Sequence, residues 1–241
     1  MSREMAQNPN ITFVIPTHNQ QLDRISSEID KNFSGYKYSL LIVNDGSTTK
    51  IEIPENATVI NHTQKLGLAK SLLSGYNEAI KHPADFVVKT DADGEYPIFP
   101  IKGIIDSLVN SEKEIGGTVG LKRSIQSNGV IDWIFNDIMG KIEGRFLICQ
   151  PLIQHSPGLQ VYKMDVIKSI LPDLERITDK LDLKWGLDIA TIKFAAKHGD
   201  IICVKIFDHS WKQRRPLKKV YNQAISAIRV MNEMKKETDQ K

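Results

Sequence analysis

The segment "FVVKTDADGEYP", residues 86–97, sets three carboxylates, Asp91, Asp93 and Glu95, at alternate positions directly behind an apolar, β-branched run. If the chain stays extended past Thr90, the alternation of side chains brings all three to one side. Oxygen donors converging in this way suit a hard divalent cation such as Mg2+ or Mn2+. A cation held mainly by carboxylates, with open positions, can bridge diphosphate oxygens and neutralise charge on a leaving group. Asp-Gly pairs also form turns, so an acidic turn closed by Pro97 is the plain alternative. The location at the end of a buried strand favours the cation.

The elements that must position these residues alternate along the first half of the chain. Strands are expected at 11–16, 38–45, 57–62 and 86–90. Helices are expected at 22–33, with Leu22, Ile25, Ile29 and Phe33 at helical spacing, and at 68–81, with Leu68, Leu72, Leu73, Tyr76 and Ile80 on one face. Continuous apolar strands separated by helices imply an α/β fold, a mostly parallel sheet sandwiched by helices. Ligands collect at the carboxyl ends of such strands. The polar segments "PTHNQ", "NDGST" and "TDADGE" all fall there, so one sheet edge is the expected site. Further on, 114–123 reads as a strand, 129–148 as a helical connection, and 158–171 as strand then helix. A helix over 184–199 closes at Gly199, 200–210 is a last strand, and 217–234 forms an amphipathic tail helix through Val220, Ala224, Ile228 and Met231. Lys235 to Lys241 are expected to fray.

A chain of 241 residues with 25% charged residues and a net charge of +3 fits one globular domain over 1–241 and does not by itself argue for nucleic acid. Its halves are 11–100 and 101–210, followed by a basic segment and helix over 211–241. Two cysteines, Cys149 and Cys203, make no disulfide framework or zinc pair, and are expected as buried thiols in a reducing compartment. "MSREMAQNPN" lacks the apolar core of a signal peptide, and no apolar run approaches the ~18 residues of a membrane span. The expectation is a cytoplasmic protein, with peripheral contact at the inner membrane face left open.

The segments "ITFVIPTHNQ", "LLIVNDGST", "KLGLAKSLLSGYNEAI" and "FVVKTDADGEYP", in that order, resemble the nucleotide-sugar half of family 2 glycosyltransferases with the GT-A fold. The resemblance covers roughly the first hundred residues, and four ordered motifs are specific where each alone is weak. It implies that Asp91 and Asp93 bind the metal and the sugar diphosphate, that Asp45 reads the nucleobase, and that Pro16, Thr17 and His18 line the base pocket. Gly67 is placed with the nucleotide-binding residues. The second motif departs from the family's Asp-Asp-Gly-Ser, reading Asn44-Asp45-Gly46-Ser47 here, which loosens the choice of base.

A weaker resemblance, carried by "GLKRSIQSNGVIDW" and "SPGLQVYKMDVI", leads to the dolichol-phosphate mannose synthase branch. It matches Gly129, Val130 and Trp133, then Pro157, Gly158, Leu159 and Gln160, with Gln160 standing where the branch has arginine. In that branch Glu95 matches a residue that helps hold the metal, and His209 matches a further metal ligand that some family members carry after the last strand. Lys122, Arg123 and Arg145 are candidates to grip an acceptor phosphate, for which a guanidinium fork is well shaped. Arg214 and Arg215, in a basic run with Lys212, Lys218 and Lys219, could cover the diphosphate or meet anionic headgroups. Lys122, Arg123, Lys218 and Lys219 also fit a solvated surface.

Asp93 and Asp188 are the candidate catalytic residues. Asp188 lies among Trp185, Leu187, Ile189 and Ile192, where the family places a base; apolar surroundings disfavour the anion and suit it to take a proton. An acidic residue favoured by a helix N-terminus is the equal alternative. A phosphate acceptor needs no base, since its second pKa of about 6 leaves it largely ionised. The resulting expectation is a metal-dependent, inverting glycosyltransferase that uses a UDP- or GDP-linked sugar and prefers a polyprenyl phosphate acceptor. The alternatives are a soluble hydroxyl acceptor with Asp188 as base, and a non-catalytic nucleotide-sugar-binding module. Nucleotidyl transfer would want a Gly-rich basic loop after the first strand, and a dinucleotide oxidoreductase a GxGxxG there; "PTHNQQLDR" is neither.

Overall fold

The apolar runs become strands whose alternate residues feed two separate cores. The structure is a computed structural model that describes residues 8–94, 96–111, 114–122, 138, 141–142, 157–206 and 217–239, without the side chains of 121–122, 205–206, 217–220 and 238–239. The strands are β1 (Ile11–Thr17), β2 (Tyr38–Asp45), β3 (Ala57–His62), β4 (Phe86–Lys89), β5 (Ile115–Lys122), β6 (Leu159–Lys163) and β7 (Asp200–Ile206). They form one seven-stranded sheet in the order β3-β2-β1-β4-β6-β5-β7. Every pairing is parallel except the two made by β6. β6 therefore begins at the edge where its neighbours end.

On one face α1 (Asp23–Phe33) and α3 (Pro100–Asn110) cover Phe13, Ile15, Ile42, Val88 and Val161. On the other, α2 (Leu68–Ala79), α4 (Met164–Leu181), α5 (Leu187–Ala195) and α6 (Leu217–Asp239) enclose Val14, Leu41, Val87 and Tyr162. Phe13 and Val14, or Val87 and Val88, go to opposite cores because strand side chains alternate. α5 is buried nearly all round, as a helix wedged between the sheet side and two further helices must be apolar on every face.

Several expectations are corrected. No element was expected between Pro97 and the strand at 114, yet α3 forms there, with Pro100 in its first turn where a missing N–H costs nothing. α4 runs on through Pro172 to Leu181, held by Leu174 and Ile177 in the core. The helix expected over 184–199 is shorter, Leu187–Ala195. In α6 the buried stripe is Ala224, Ala227, Val230, Met231 and Met234, so Ile228 points outward at 42% exposure. Instead of fraying, Lys235–Asp239 continue the helix, pinned by Arg176 to Glu237 and Lys180 to Glu233. The connection at 129–148 lies outside the described residues apart from 138 and 141–142, which are helical. No helix among the described residues is long and apolar enough to cross a membrane.

Candidate active site

Strand order reverses between β1 and β4, since β2 and β3 lie to one side of β1 and β4 to the other. The crevice at such a reversal is where open α/β sheets take ligands. The ends of β1, β2, β3 and β4, the start of β6 and the ends of β5 and β7 all fall on this edge. Thr17, Asp45, His62, Lys89 and Gly158 are thereby gathered from segments far apart in the chain.

On the β2 side, Asp45 is 4% exposed and its carboxylate is engaged by its own chain. Oδ1 accepts from the Leu66 N–H at 2.7 Å and faces His62 Nδ1 at 3.0 Å, while Oδ2 accepts from the Gly67 N–H at 2.9 Å. Burial alone would raise this carboxyl's pKa, but the bonds from His62, Leu66 and Gly67 outweigh it and hold the group below its ordinary 3.8. His62 Nε2 lies 3.0 Å from Ser74 Oγ on α2, extending the chain of polar contacts into that helix. The 62–67 loop also crosses Gly46, whose φ is +62° and where a Cβ would stand 2.3 Å from the Gln64 carbonyl carbon. Glycine is required there twice over.

The β1 loop is tied to the same structure. His18 Nδ1 lies 2.9 Å from the Asp45 carbonyl oxygen, and Thr17 Oγ1 donates to the Gln20 carbonyl at 3.1 Å. Asn19 adopts φ +58° and its Oδ1 accepts from the Thr48 N–H at 2.8 Å and the Thr49 N–H at 3.2 Å. Pro16 is buried inside β1.

On the β4 side the strand stops at Lys89, and Asp91–Gly94 form a turn with Gly94 at φ +66°. The extended run expected past Thr90 is absent over Asp91–Gly94, where the chain turns directly behind β4 instead. Lys89, 1% exposed, donates from Nζ to Asp91 Oδ1 at 2.9 Å, while Asp91 is 28% exposed. Asp91 Oδ2 occupies space left by Gly158: a Cβ there would stand 2.2 Å from it and 2.3 Å from Tyr96 Cε2. Asp93 is half-buried in the same turn.

Beneath this turn lies a buried polar cluster. Gln160, paired directly across from Lys89, accepts from the Tyr162 hydroxyl at 2.8 Å and donates to the Pro157 carbonyl at 3.1 Å. Asp188, in the first turn of α5 and 1% exposed, accepts from the Ile189 N–H at 3.1 Å. Burial first, and then the Asp188 charge, pushes the Tyr76 phenol well up; burial, Tyr76 and Asp188 do the same to Tyr162. The segment before α5 also reaches the β2 side, because the Ala69 N–H donates to the Lys184 carbonyl at 3.0 Å.

Of the expected site residues, Pro16, Thr17, His18, Asp45, Gly67, Asp91, Asp93 and Asp188 lie at this edge or just beneath it. The backbone of Lys122 ends β5 on the same edge. Glu95, Arg123, Arg145, His209, Arg214 and Arg215 lie outside the described residues. Among the described residues no group of three His, Cys, Asp or Glu side chains forms a metal cage. Asp91 and Asp93 remain suitable hard donors, and the gap at Gly158 gives Asp91 its room. Sequence reasoning missed Lys89 and His62. The signal for Lys89 was present: a charge inside an apolar strand needs a partner.

This sheet with its two helical layers is the GT-A fold, the fold of nucleotide-sugar glycosyltransferases. No protein-family model matches the chain. It is similar to a dolichol-phosphate mannosyltransferase of Pyrococcus furiosus, at 27% identity over 135 residues, spanning 52% of this chain and only 36% of that protein. The fold matches glucosyl-3-phosphoglycerate synthase from Mycobacterium tuberculosis in complex with phosphoglyceric acid, with TM-score 0.64 and 18% identity over 92% of this chain and 78% of that one. A structure of that synthase with Mn2+, UDP and phosphoglyceric acid matches with TM-score 0.64 and 17% identity, over 92% and 77%. Mannosyl-3-phosphoglycerate synthase from Rubrobacter xylanophilus matches with TM-score 0.64 and 12% identity, over 97% and 76%.

Proposed function

We propose that the protein is a metal-dependent, inverting glycosyltransferase that moves a sugar from a nucleoside-diphosphate sugar to an acceptor carrying a phosphate. The observation that carries this reading is the Asp91–Asp93 turn, set at the strand-order reversal beside the laced loops of β1 and β2. The nucleoside would lie along the Thr17–His18 and Asp45–Gly67 side, with the diphosphate toward Asp91 and Asp93. These two carboxylates would hold Mg2+ or Mn2+, which when bound neutralises charge on the departing diphosphate. Glu95 and His209 are proposed as further ligands, and Arg123, Arg145, Arg214 and Arg215 with Lys122 as phosphate contacts.

A phosphate is common to the acceptors named for the relatives, dolichol phosphate in one case and phosphoglycerate in the others. The preferred acceptor is a polyprenyl phosphate at a membrane face, which needs no general base. The second reading is a soluble acceptor attacking through a hydroxyl, with Asp188 as base; the phosphoglycerate-bound neighbour favours it. The deep burial of Asp188 among tyrosines favours the first.

A thermal-shift panel of UDP, GDP, CDP and dTDP, with and without Mn2+, tests the donor side, since a ligand of the native state must raise its melting temperature. One nucleotide stabilising only with metal is the expected result. No shift with any would favour a non-catalytic fold. Asp188→Asn then separates the acceptors: near-normal turnover favours phosphate attack, and a collapse of kcat favours a hydroxyl.

A further inference from the structure

We propose that Lys89 acts through Asp91 by its charge, giving the Asp91–Asp93 turn a resident cation, so that the turn holds a divalent metal weakly alone and tightly only together with a nucleoside diphosphate. This rests on the sugar-nucleotide reading above. Lys89 occupies a position where the strand "FVVK" calls for an apolar side chain, and it is 1% exposed. Burying an ammonium is costly unless it is paired. Its partner is Asp91 Oδ1 at 2.9 Å, in the carboxylate pair assigned to the metal.

Two consequences follow. Oδ1 is already engaged by the ammonium, and Oδ2 lies in the space left by Gly158, so Asp91 is placed before any ligand arrives. The ammonium also offsets the charge that the Asp91 carboxylate would offer a metal. Because Lys89 is buried, water and salt screen its repulsion toward a divalent cation poorly. A diphosphate restores the missing negative charge and supplies its own oxygen donors. Metal and nucleotide should therefore bind as a unit.

The test is Mn2+ binding, read from the electron paramagnetic resonance of free Mn2+, with and without UDP or GDP, in the wild type, Lys89→Met and Lys89→Gln. Methionine removes charge and hydrogen bond together; glutamine removes the charge and keeps a donor. The wild type is expected to bind Mn2+ at least about tenfold more tightly with the favoured nucleotide, and both variants to bind Mn2+ alone about tenfold more tightly than the wild type. Unchanged or weaker Mn2+ binding in both variants overturns the proposal. So does a glutamine variant that matches the wild type while the methionine variant weakens, because orientation and not charge would then matter. A wild type that binds nucleotide but no Mn2+ overturns the metal role of the turn while sparing the nucleotide site. A wild type that binds neither overturns the sugar-nucleotide reading itself, and the role of Lys89 with it.

Discussion

Asp45 and Asp91 stand behind two strands that flank β1 on opposite sides, and the fold treats them in opposite ways. The Asp45 carboxylate is buried and takes donors from three residues of its own chain, so its charge is used to hold the 62–67 loop and the start of α2. The Asp91 carboxylate is partly exposed and, among the described residues, takes a bond from a lysine, with its second oxygen set in a gap beside glycine. The first is an anchor. The second is pre-positioned with capacity left over. The same side chain at the same kind of strand end is thus enclosed by donors on one side of the crevice and left partly open on the other, according to what the neighbouring loops bring.

The contrast can be broken from either side, and the largest effect belongs to the turn. Asp93→Ala is expected to abolish sugar transfer while leaving the melting temperature close to that of the wild type; full activity in that variant would remove the metal from this turn. Asp45→Ala is expected to lose about 2–4 kcal/mol in urea unfolding, because it strands the buried donors of His62, Leu66 and Gly67. An unchanged midpoint with lost nucleotide binding would make Asp45 a ligand and not an anchor. Gly158→Ala is expected to cost about 1–3 kcal/mol through overpacking against Asp91 and Tyr96, and to weaken Mn2+–nucleotide binding beyond that. Intact binding would mean that Asp91 can shift without consequence.

The smallest effect is one of pH. A carboxyl held below its ordinary 3.8 adds stability that is fully present above that value and is lost as pH falls through the lower folded pKa. Asp45→Asn should flatten the decline of melting temperature on acidification below about pH 4, where the wild type falls more steeply. Parallel curves would show that the carboxylate charge contributes nothing to the loop.

Much of this was legible in advance. β1 to β4 follow from short, mostly apolar runs and their two helices from a period of 3.6, and Asp91 and Asp93 declare themselves by standing where an apolar strand ends. α3 shows the limit of such reading: its spacing of Ile101, Ile104, Ile105 and Leu108 is helical, but prolines on either side of Phe99 interrupt the pattern. The tail helix was expected with Ala224 and Met231 inward, as they are, but Ile228 was misplaced: Ile228 and Ala227 differ by one residue, and packing against α5 decides which turns inward. His62 carried no signal at all, since its place is defined by an aspartate 17 residues earlier and a serine 12 residues later.

By itself, then, the sequence determined the alternation of strands and helices, the sheet edge at which the polar loops gather, and the acidic pair behind β4. All of these are properties of neighbouring residues, set by local geometry and apolar spacing. Only the tertiary structure decided that β6 enters antiparallel and delivers Gly158 to Asp91, that Asp45 spends its carboxylate on a loop, and that Lys89 finds its counter-charge in the turn. The reason is physical: whether a buried charge is an anchor or a ligand depends on which donors surround it in space, and residues far apart in the chain supply them.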